Sequence, residues 1–239
     1  MNITNKQIRS RARYFLDDNI FGKDWIKSVF LTLILTGLVS IVGTVLLTIA
    51  NSLIIPTINI WLDRFFDTTI LLYIIDIIII AINILILNVF IGPLGVGLSA
   101  VHLDLIRGDG KIRIGKFFSS FKNFVDNFQL GFMYMLHSAL WSILFFIPGV
   151  YVSYSYAMIF YVKHDNPDFT WQQCFDESER LMEGNRWRLF KLQLSFIGWE
   201  ILGAIAFFGI GSLWVSPYQN VSMAIFYEEI KYSKEELED

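Results

Sequence analysis

The chain has 239 residues, of which 54% are hydrophobic and only 17% charged, whereas soluble domains average about 25% charged residues. Its formal net charge of −3 offers no general attraction for nucleic acid, and its one cysteine, Cys174, excludes an internal disulfide. Nucleic-acid binding and a disulfide-stabilised secreted fold are therefore not expected. The excess apolar residues lie in four long stretches that are almost free of charge, which predicts an all-α, polytopic membrane helix bundle.

The first two apolar stretches each predict one membrane span. Residues 28–50 contain no charged side chain and match the roughly 20 residues that a helix needs to cross a bilayer. The second stretch, residues 68–103, contains a single charge, Asp76, and a glycine followed by Pro93. Because proline interrupts helical hydrogen bonding, we expect one long, kinked helix here.

The third and fourth apolar stretches, residues 127–162 and 192–227, each predict a hairpin of two spans. As single helices of 36 residues they would be about 54 Å long, against a hydrocarbon core of about 30 Å. Pro148 and Gly149 are expected to divide the third stretch, and the glycine-rich segment 209–212 to divide the fourth. The six predicted spans are residues 28–50, 70–106, 128–146, 148–162, 192–209 and 212–230.

The distribution of basic residues predicts the orientation of these spans. Residues 1–27, 107–127, 163–191 and 231–239 would lie on one side, and they hold six, five, five and two of the chain's 19 Lys and Arg. Only Arg64 would lie on the other side. Since cytoplasmic connections carry the excess of Lys and Arg, both ends of the chain are predicted to be cytoplasmic, including the short acidic tail at 232–239.

Polar segments that precede the predicted hairpins carry helical signals. Thr4 with Gln7, and Thr170 with Gln173, have the spacing of a capping box at a helix start. Before the third span, phenylalanines recur at helical spacing with lysines off the stripe, as in a helix that lies in the headgroup plane. These are Phe117, Phe121, Phe124 and Phe128. We therefore expect cytoplasmic amphipathic helices at the membrane interface.

The order of interfacial helix and hairpin occurs three times, which indicates an internal repeat within a single membrane domain of residues 1–239. The repeat-like units span residues 1–107, 111–164 and 168–231. The second span of each unit contains a proline, which is Pro93, Pro148 or Pro217. Chance similarity in a chain rich in phenylalanine is the alternative.

Short motifs distributed along the chain carry a family resemblance. They are IRSRAR at 8–13, DLIRG at 104–108, LW at 140–141, IPGV at 147–150, YSY at 154–156, LSFIGW at 194–199, LW at 213–214 and PY at 217–218. Through them the chain resembles the bacterial integral membrane proteins of domain-of-unknown-function family 975, over almost its whole length and more loosely across 51–87. The resemblance implies a multi-span bacterial membrane protein and supplies no catalytic residues.

Two acidic residues fall within predicted spans, where ionisable groups are costly and suggest function. Glu200 follows a tryptophan about ten residues into the fifth span, where it could bind a proton, a cation or a substrate amine. Alternatively, it is a neutral carboxylic acid held by helix neighbours, or it lies nearer the interface. Asp76 lies near the start of the second span and is simply hydrated if that long helix protrudes from the membrane.

Other polar residues in the spans favour structural roles. Asp104 and Arg107 at the end of the second span are spaced for a local ion pair, and glycines within 92–97 are expected to permit close helix contact. Tyr154 in the fourth span belongs to an aromatic belt or to a polar lining that faces the bundle interior. No two histidines have metal-ligand spacing, so no metal or other cofactor is expected.

These features predict a non-enzymatic, multi-pass protein of the bacterial cytoplasmic membrane. Its expected partners are the lipid bilayer and other membrane proteins, among them an exporter, and its role would be that of a scaffold, an accessory or a self-protection factor. The alternative is a small transporter or channel subunit that uses Glu200, since repeats, kinked helices and a buried acid are typical of transporters. A lipid-modifying enzyme would need clustered His or Asp residues. The sequence leaves the oligomeric state open.

Overall fold

The computed structural model describes residues 3–16, 22–49, 69–108, 111–144, 146–205 and 210–238, together with positions 52 and 56. Regular structure in these residues is helical, and none of them forms a strand, which confirms the predicted all-α class. The helices are α1 (Asn5–Phe15), α2 (Lys23–Ile49), α3 (Thr69–Arg107), α4 (Ile114–Ser119), α5 (Phe124–Leu144), α6 (Phe146–Ser155), α7 (Ile159–Asp165), α8 (Trp171–Met182), α9 (Arg186–Leu194), α10 (Ile197–Ile205) and α11 (Ile210–Glu238).

Two helices begin with the capping boxes that the sequence predicts. At the start of α1, the Gln7 backbone N–H donates to the Thr4 hydroxyl, and the Thr4 backbone N–H donates to the Gln7 side chain at 2.7 Å. Thr170 and Gln173 make the same pair of bonds at the start of α8. These bonds satisfy backbone donors that a helix start leaves without partners.

The long helix α3 lies at the centre of the fold and packs against α2, α5, α7 and α11. Its carboxyl-terminal half is deeply buried, with Leu94, Leu103 and Leu105 almost inaccessible to solvent. The segment Phe90–Arg107 is the one part of the described residues that is long and apolar enough to cross a membrane, with a mean hydropathy of 1.2. Of this segment 67% is buried inside the protein, which is also the pattern of a central helix in a soluble domain.

The prolines in the second spans of the three repeat-like units lie inside helices, which agrees with the single long helix expected around Pro93 and with the span expected around Pro217, but not with a division at Pro148. Pro93 lies inside α3 and Pro217 inside α11, and both helices continue past the proline. Pro148 and Gly149 lie in the first turns of α6, which already begins at Phe146. The predicted division at Pro148 and Gly149 is therefore wrong, because both residues lie within α6.

Two predicted spans are interrupted at places that the sequence does not mark. A turn at residues 156–158 separates α6 from α7, and a turn at 195–196 separates α9 from α10. At the second turn, the Ser195 hydroxyl donates to the Leu192 carbonyl oxygen at 2.6 Å, and the Phe196 N–H donates to the Gln193 carbonyl oxygen at 2.9 Å. The helix is thus interrupted between α9 and α10 at two residues that are neither glycine nor proline.

Glycines allow close helix crossings, as the sequence predicts for the 92–97 segment. A Cβ atom at Gly92 would lie 1.7 Å from the Asn127 carbonyl oxygen of α5, and one at Gly131 would lie 2.4 Å from the Gly92 nitrogen. At a second crossing, a Cβ at Gly203 in α10 would lie 2.7 Å from the Gly211 carbonyl carbon in α11. These contacts fix the spacing of α3 against α5 and of α10 against α11.

The phenylalanine stripe runs without interruption from α4 into α5. A 3₁₀ turn at Ser120–Asn123 joins the two helices, and the Asn127 amide donates to the Ser120 carbonyl oxygen at 2.6 Å. The ring centroids of Phe124 and Phe128 are 6.4 Å apart and nearly parallel. Since α4 has only six residues, this segment is a continuation of the following helix.

Candidate functional site

A pocket of about 440 Å³, which we call the Glu200 pocket, lies between α6, α9, α10 and α11. Its polar lining comprises Tyr154, Gln193, Glu200, Gln219 and Asn220. Its apolar lining comprises Phe190, Leu192, Leu194, Phe196, Ile197 and Met223. The pocket thus combines one carboxylate, neutral polar groups and a largely apolar wall, which is the usual make-up of a small-molecule site.

Glu200 reaches the pocket from the first turn of α10. Its side chain is exposed, and its Oε1 accepts a hydrogen bond from Gln219 Nε2 on α11 at 2.8 Å. The turn between α9 and α10 and the crossing of Gly203 with Gly211 together set this side chain opposite Gln219. Sequence reasoning singled out Glu200, but neither Gln219 nor the interrupted helix beside it.

Tyr154 approaches the same pocket from α6. Its hydroxyl donates to Gln193 Oε1 at 2.8 Å, and its ring packs edge-on against Phe190 with centroids 6.0 Å apart. The structure therefore brings together two of the sequence-predicted residues, Tyr154 and Glu200, on one pocket. Asp76 lies on α3, but its side chain falls outside the described part of the chain.

A second polar cluster, which we call the Asp165 network, joins the ends of α3, α7 and α11. Arg107 donates to both carboxylate oxygens of Asp165, at 2.6 and 2.9 Å, and also contacts Glu228. Lys231 Nζ lies 2.6 Å from Asp165 Oδ2, and the Tyr227 hydroxyl donates to the same oxygen at 3.0 Å. One carboxylate thus accepts hydrogen bonds from two helices other than its own.

The pKa of Asp165 reflects two opposing effects. Burial of the side chain, which is 6% exposed, raises the pKa of the carboxyl group. The hydrogen bonds and positive charges of Arg107 and Lys231 outweigh burial and hold the pKa well below its usual range. Asp165 is therefore ionised at every physiological pH.

The predicted pairing of Asp104 with Arg107 is wrong, because each residue has other partners. Arg107 binds Asp165 and Glu228, while Asp104 Oδ2 lies 3.1 Å from Lys116 Nζ and Oδ1 lies 4.0 Å from His164 Nε2. Burial lowers the pKa of His164, so its imidazole is neutral at pH 7. Tertiary packing supplies better-placed partners than the neighbouring turn of the same helix.

A third polar contact fixes the beginning of the described chain. The Ile3 backbone N–H donates to Glu229 Oε1 of α11 at 2.8 Å, and Arg188 of α9 contacts both the Glu229 carboxylate and the Ile3 carbonyl oxygen. Ile8 and Ala12 on α1 are fully buried, with α11 as the main neighbouring helix. The apolar stripe of α1 is therefore covered by protein.

The histidines have structural partners. His102 is fully buried, and its Nδ1 lies 2.7 Å from the Leu98 carbonyl oxygen. Because a carbonyl only accepts, Nδ1 carries the proton and Nε2 accepts from the Ser28 hydroxyl at 2.8 Å. His137 packs against Phe175 and bonds the Met133 carbonyl oxygen at 2.9 Å. Within the described ranges no three His, Cys, Asp or Glu residues are grouped as a metal site.

These observations define an all-helical protein with a carboxylate-bearing pocket and ion networks that join its helices. Residues 143–234 match the family model described as a protein of unknown function, DUF975. The matched region spans the last two residues of α5, all of α6–α10 and all but the last turn of α11, so it contains the whole Glu200 pocket. It supports the family indicated by the sequence motifs. No curated protein and no solved structure matches the chain.

Proposed function

We propose that this protein is a non-enzymatic, multi-pass protein of the bacterial cytoplasmic membrane that acts by packing against lipid or other membrane proteins. The observation that carries the proposal is the number of large apolar side chains left exposed on successive helices. They include Phe30, Leu33 and Val45 on α2, Ile74, Ile77 and Ile78 on α3, Leu136, Leu140 and Trp141 on α5, and Ile201, Leu202 and Ile205 on α10. Soluble monomers rarely expose apolar surface on this scale.

Helix lengths support the same proposal. The 27 residues of α2 correspond to about 40 Å, the 21 residues of α5 to about 32 Å and the 29 residues of α11 to about 44 Å. Each of these helices is long enough to cross a hydrocarbon core that is about 30 Å thick. The predicted span 192–209 is described as the end of α9, the turn at 195–196 and α10.

The ion networks support the proposed orientation. The Asp165 network joins residues from 107–127, 163–191 and 231–239, or their immediate neighbours, and the Ile3–Glu229–Arg188 contact adds the amino-terminal segment. The Ile112 N–H also donates to Asp24 at 3.0 Å. All four segments that carry the basic residues therefore meet at one end of the helices, which we propose to be cytoplasmic, with α1 and α8 covering it.

Membrane fractionation tests the proposal directly. We expect the protein to stay in the membrane pellet after an alkaline carbonate wash and to be released by mild detergent. A photo-crosslinking residue in place of Ile205, which is 77% exposed, is expected to capture lipid, whereas one in place of the buried Leu189 is not. Recovery as a detergent-free, soluble monomer would contradict the proposal.

The Glu200 pocket favours a second candidate function, that of a small transporter or channel subunit. Transporters commonly form their sites at interrupted helices, and the pocket lies beside the turn between α9 and α10. In vesicles containing the purified protein, an ion or solute flux that disappears in Glu200→Gln would support this function. A flux unchanged by the substitution would exclude Glu200 from transport.

A further inference from the structure

We propose that the Glu200 pocket binds a primary ammonium group carried on an apolar body, with the Glu200 carboxylate as its counter-ion. The inference rests on the membrane placement proposed above, and it names the ligand class for the second candidate function.

The negative charge of Glu200 in the pocket favours a cationic ligand. Among the described lining residues none is Lys, Arg or His, and no basic side chain of the described chain lies within ion-pair distance of Glu200. Among the described residues, the neutral amide of Gln219 donates a hydrogen bond to Glu200. The accessible Glu200 carboxylate therefore has no opposite charge beside it in the described part of the chain, so in the proposed membrane placement a bound positive charge would stabilise it.

The depth of Glu200 strengthens this requirement. Glu200 lies five residues before Ile205, the last residue of α10, and Gln219 lies nine residues after Ile210, the first residue of α11, which is about 8 and 14 Å along the two helices. In the proposed placement both residues lie within a hydrocarbon core that is about 30 Å thick. Few solvent counter-ions reach that depth, so the ligand itself must bring the charge.

The remaining lining selects an organic amine. An ammonium group has three N–H donors, and the pocket offers the Glu200 carboxylate with the side-chain oxygens of Gln193 and Asn220 as acceptors. Phe190 and Phe196 supply aromatic rings that attract cations and pack against an apolar body. A divalent metal ion would need several charged or carbonyl oxygens, whereas the described lining contains one carboxylate.

Calorimetric titration of the full-length protein tests the proposal, in nanodiscs of phosphatidylcholine with empty discs as the blank. The probes are 4-phenylbutylamine and its neutral analogue 4-phenylbutan-1-ol. We expect saturable binding of the amine, with affinity at least about tenfold higher than that of the alcohol, because charge-assisted hydrogen bonds differ by that amount from neutral ones. Equal affinity for the two probes would overturn the proposal.

Variants separate the pocket from partition into lipid. Glu200→Gln is expected to weaken amine binding at least about tenfold, and Met223→Trp, which fills the pocket but keeps the carboxylate, is expected to abolish it. Glu235→Gln, an exposed carboxylate outside the pocket, should bind as the wild type does. If Glu200→Gln does not fold, the amine affinity of Met223→Trp is the test of the pocket.

A folded pocket variant that binds the amine with wild-type affinity would overturn the proposed ammonium site but leave the membrane proposal intact. Failure of the protein to enter nanodiscs would contradict the membrane proposal itself.

Discussion

Asp165 illustrates how one buried side chain can determine the assembly of several helices. Its carboxylate is 6% exposed and accepts hydrogen bonds from Arg107 on α3 and from Tyr227 and Lys231 on α11. A buried carboxylate without these partners would be strongly unfavourable. The positions of α3, α7 and α11 are therefore coupled through a single residue.

Asp165→Asn is expected to lower the free energy of unfolding by about 2 kcal/mol at pH 7, because it removes the carboxylate that Arg107 and Lys231 share and leaves Glu228 as the carboxylate partner of Arg107. Since the folded-state pKa of Asp165 lies below that of the unfolded chain, the wild type has this stabilisation in full above about pH 4 and loses it as the pH falls below that value. The difference between the two proteins should therefore shrink in acid. Denaturation of both proteins in detergent at a series of pH values measures this difference in the free energy of unfolding.

The matched control for this prediction lies three residues further along the chain. Asp168 is exposed, so Asp168→Asn should change stability by less than about 0.5 kcal/mol. An Asp165→Asn protein as stable as this control at neutral pH would show that the network contributes little.

The close crossing of α3 and α5 requires a residue without a side chain at position 92. A methyl group at this position would overlap the Asn127 carbonyl oxygen, so Gly92→Ala should destabilise the protein by about 1–3 kcal/mol. Gly115→Ala on the exposed α4 has no atom within 4 Å of the added methyl and should be neutral or slightly stabilising. Thermal unfolding of the two variants in detergent compares them, and equal melting temperatures would contradict the close crossing of α3 and α5.

At the scale of elements, helix starts were predictable where the signal is local. The capping boxes of α1 and α8 depend on residues three positions apart, and both form as the sequence predicts. The turn between α9 and α10 was not predictable, because Ser195 and Phe196 are compatible with a continuous helix. Its position follows from contacts with α11, such as the Phe196 ring against Tyr218 at 4.9 Å.

The capping box of α8 gives a prediction at this scale. Thr170→Ala should lower the free energy of unfolding by about 1 kcal/mol, because it removes the acceptor for the Gln173 N–H. Thr170→Ser keeps that acceptor and should remain close to the wild type. Hydrogen exchange of the first turn of α8 locates the effect, and equal exchange in both variants would show that the cap is dispensable.

At the scale of the whole molecule, the helical class and the approximate helix ends could be predicted because apolar length is a property of contiguous sequence. The ion pairs could not, since Arg107 and Asp165 are separated by 58 positions and their encounter depends on how α3 and α7 pack. The same holds for the pocket, where Tyr154 and Glu200 come from different helices. The sequence identifies the charged and polar side chains, whereas the fold shows which of them are in contact.

The proposed topology accounts for the whole molecule because it explains the exposed apolar helices and the gathering of basic segments with one arrangement. It predicts which positions a reagent outside the cell can reach. Asn123 and Asp176 are exposed at the proposed cytoplasmic end, and Thr57 lies in the connection that the sequence predicts to be external. The native Cys174 is buried, and burial raises its pKa to about 11, so it can be replaced by alanine as a background.

Labelling of single cysteines in intact cells with a membrane-impermeant maleimide is the most direct test of the multi-pass arrangement. In a Cys174→Ala background, Thr57→Cys should be labelled from outside, whereas Asn123→Cys and Asp176→Cys should react only after the cells are permeabilised. Labelling of either cytoplasmic position in intact cells, or protection of all three, would contradict it.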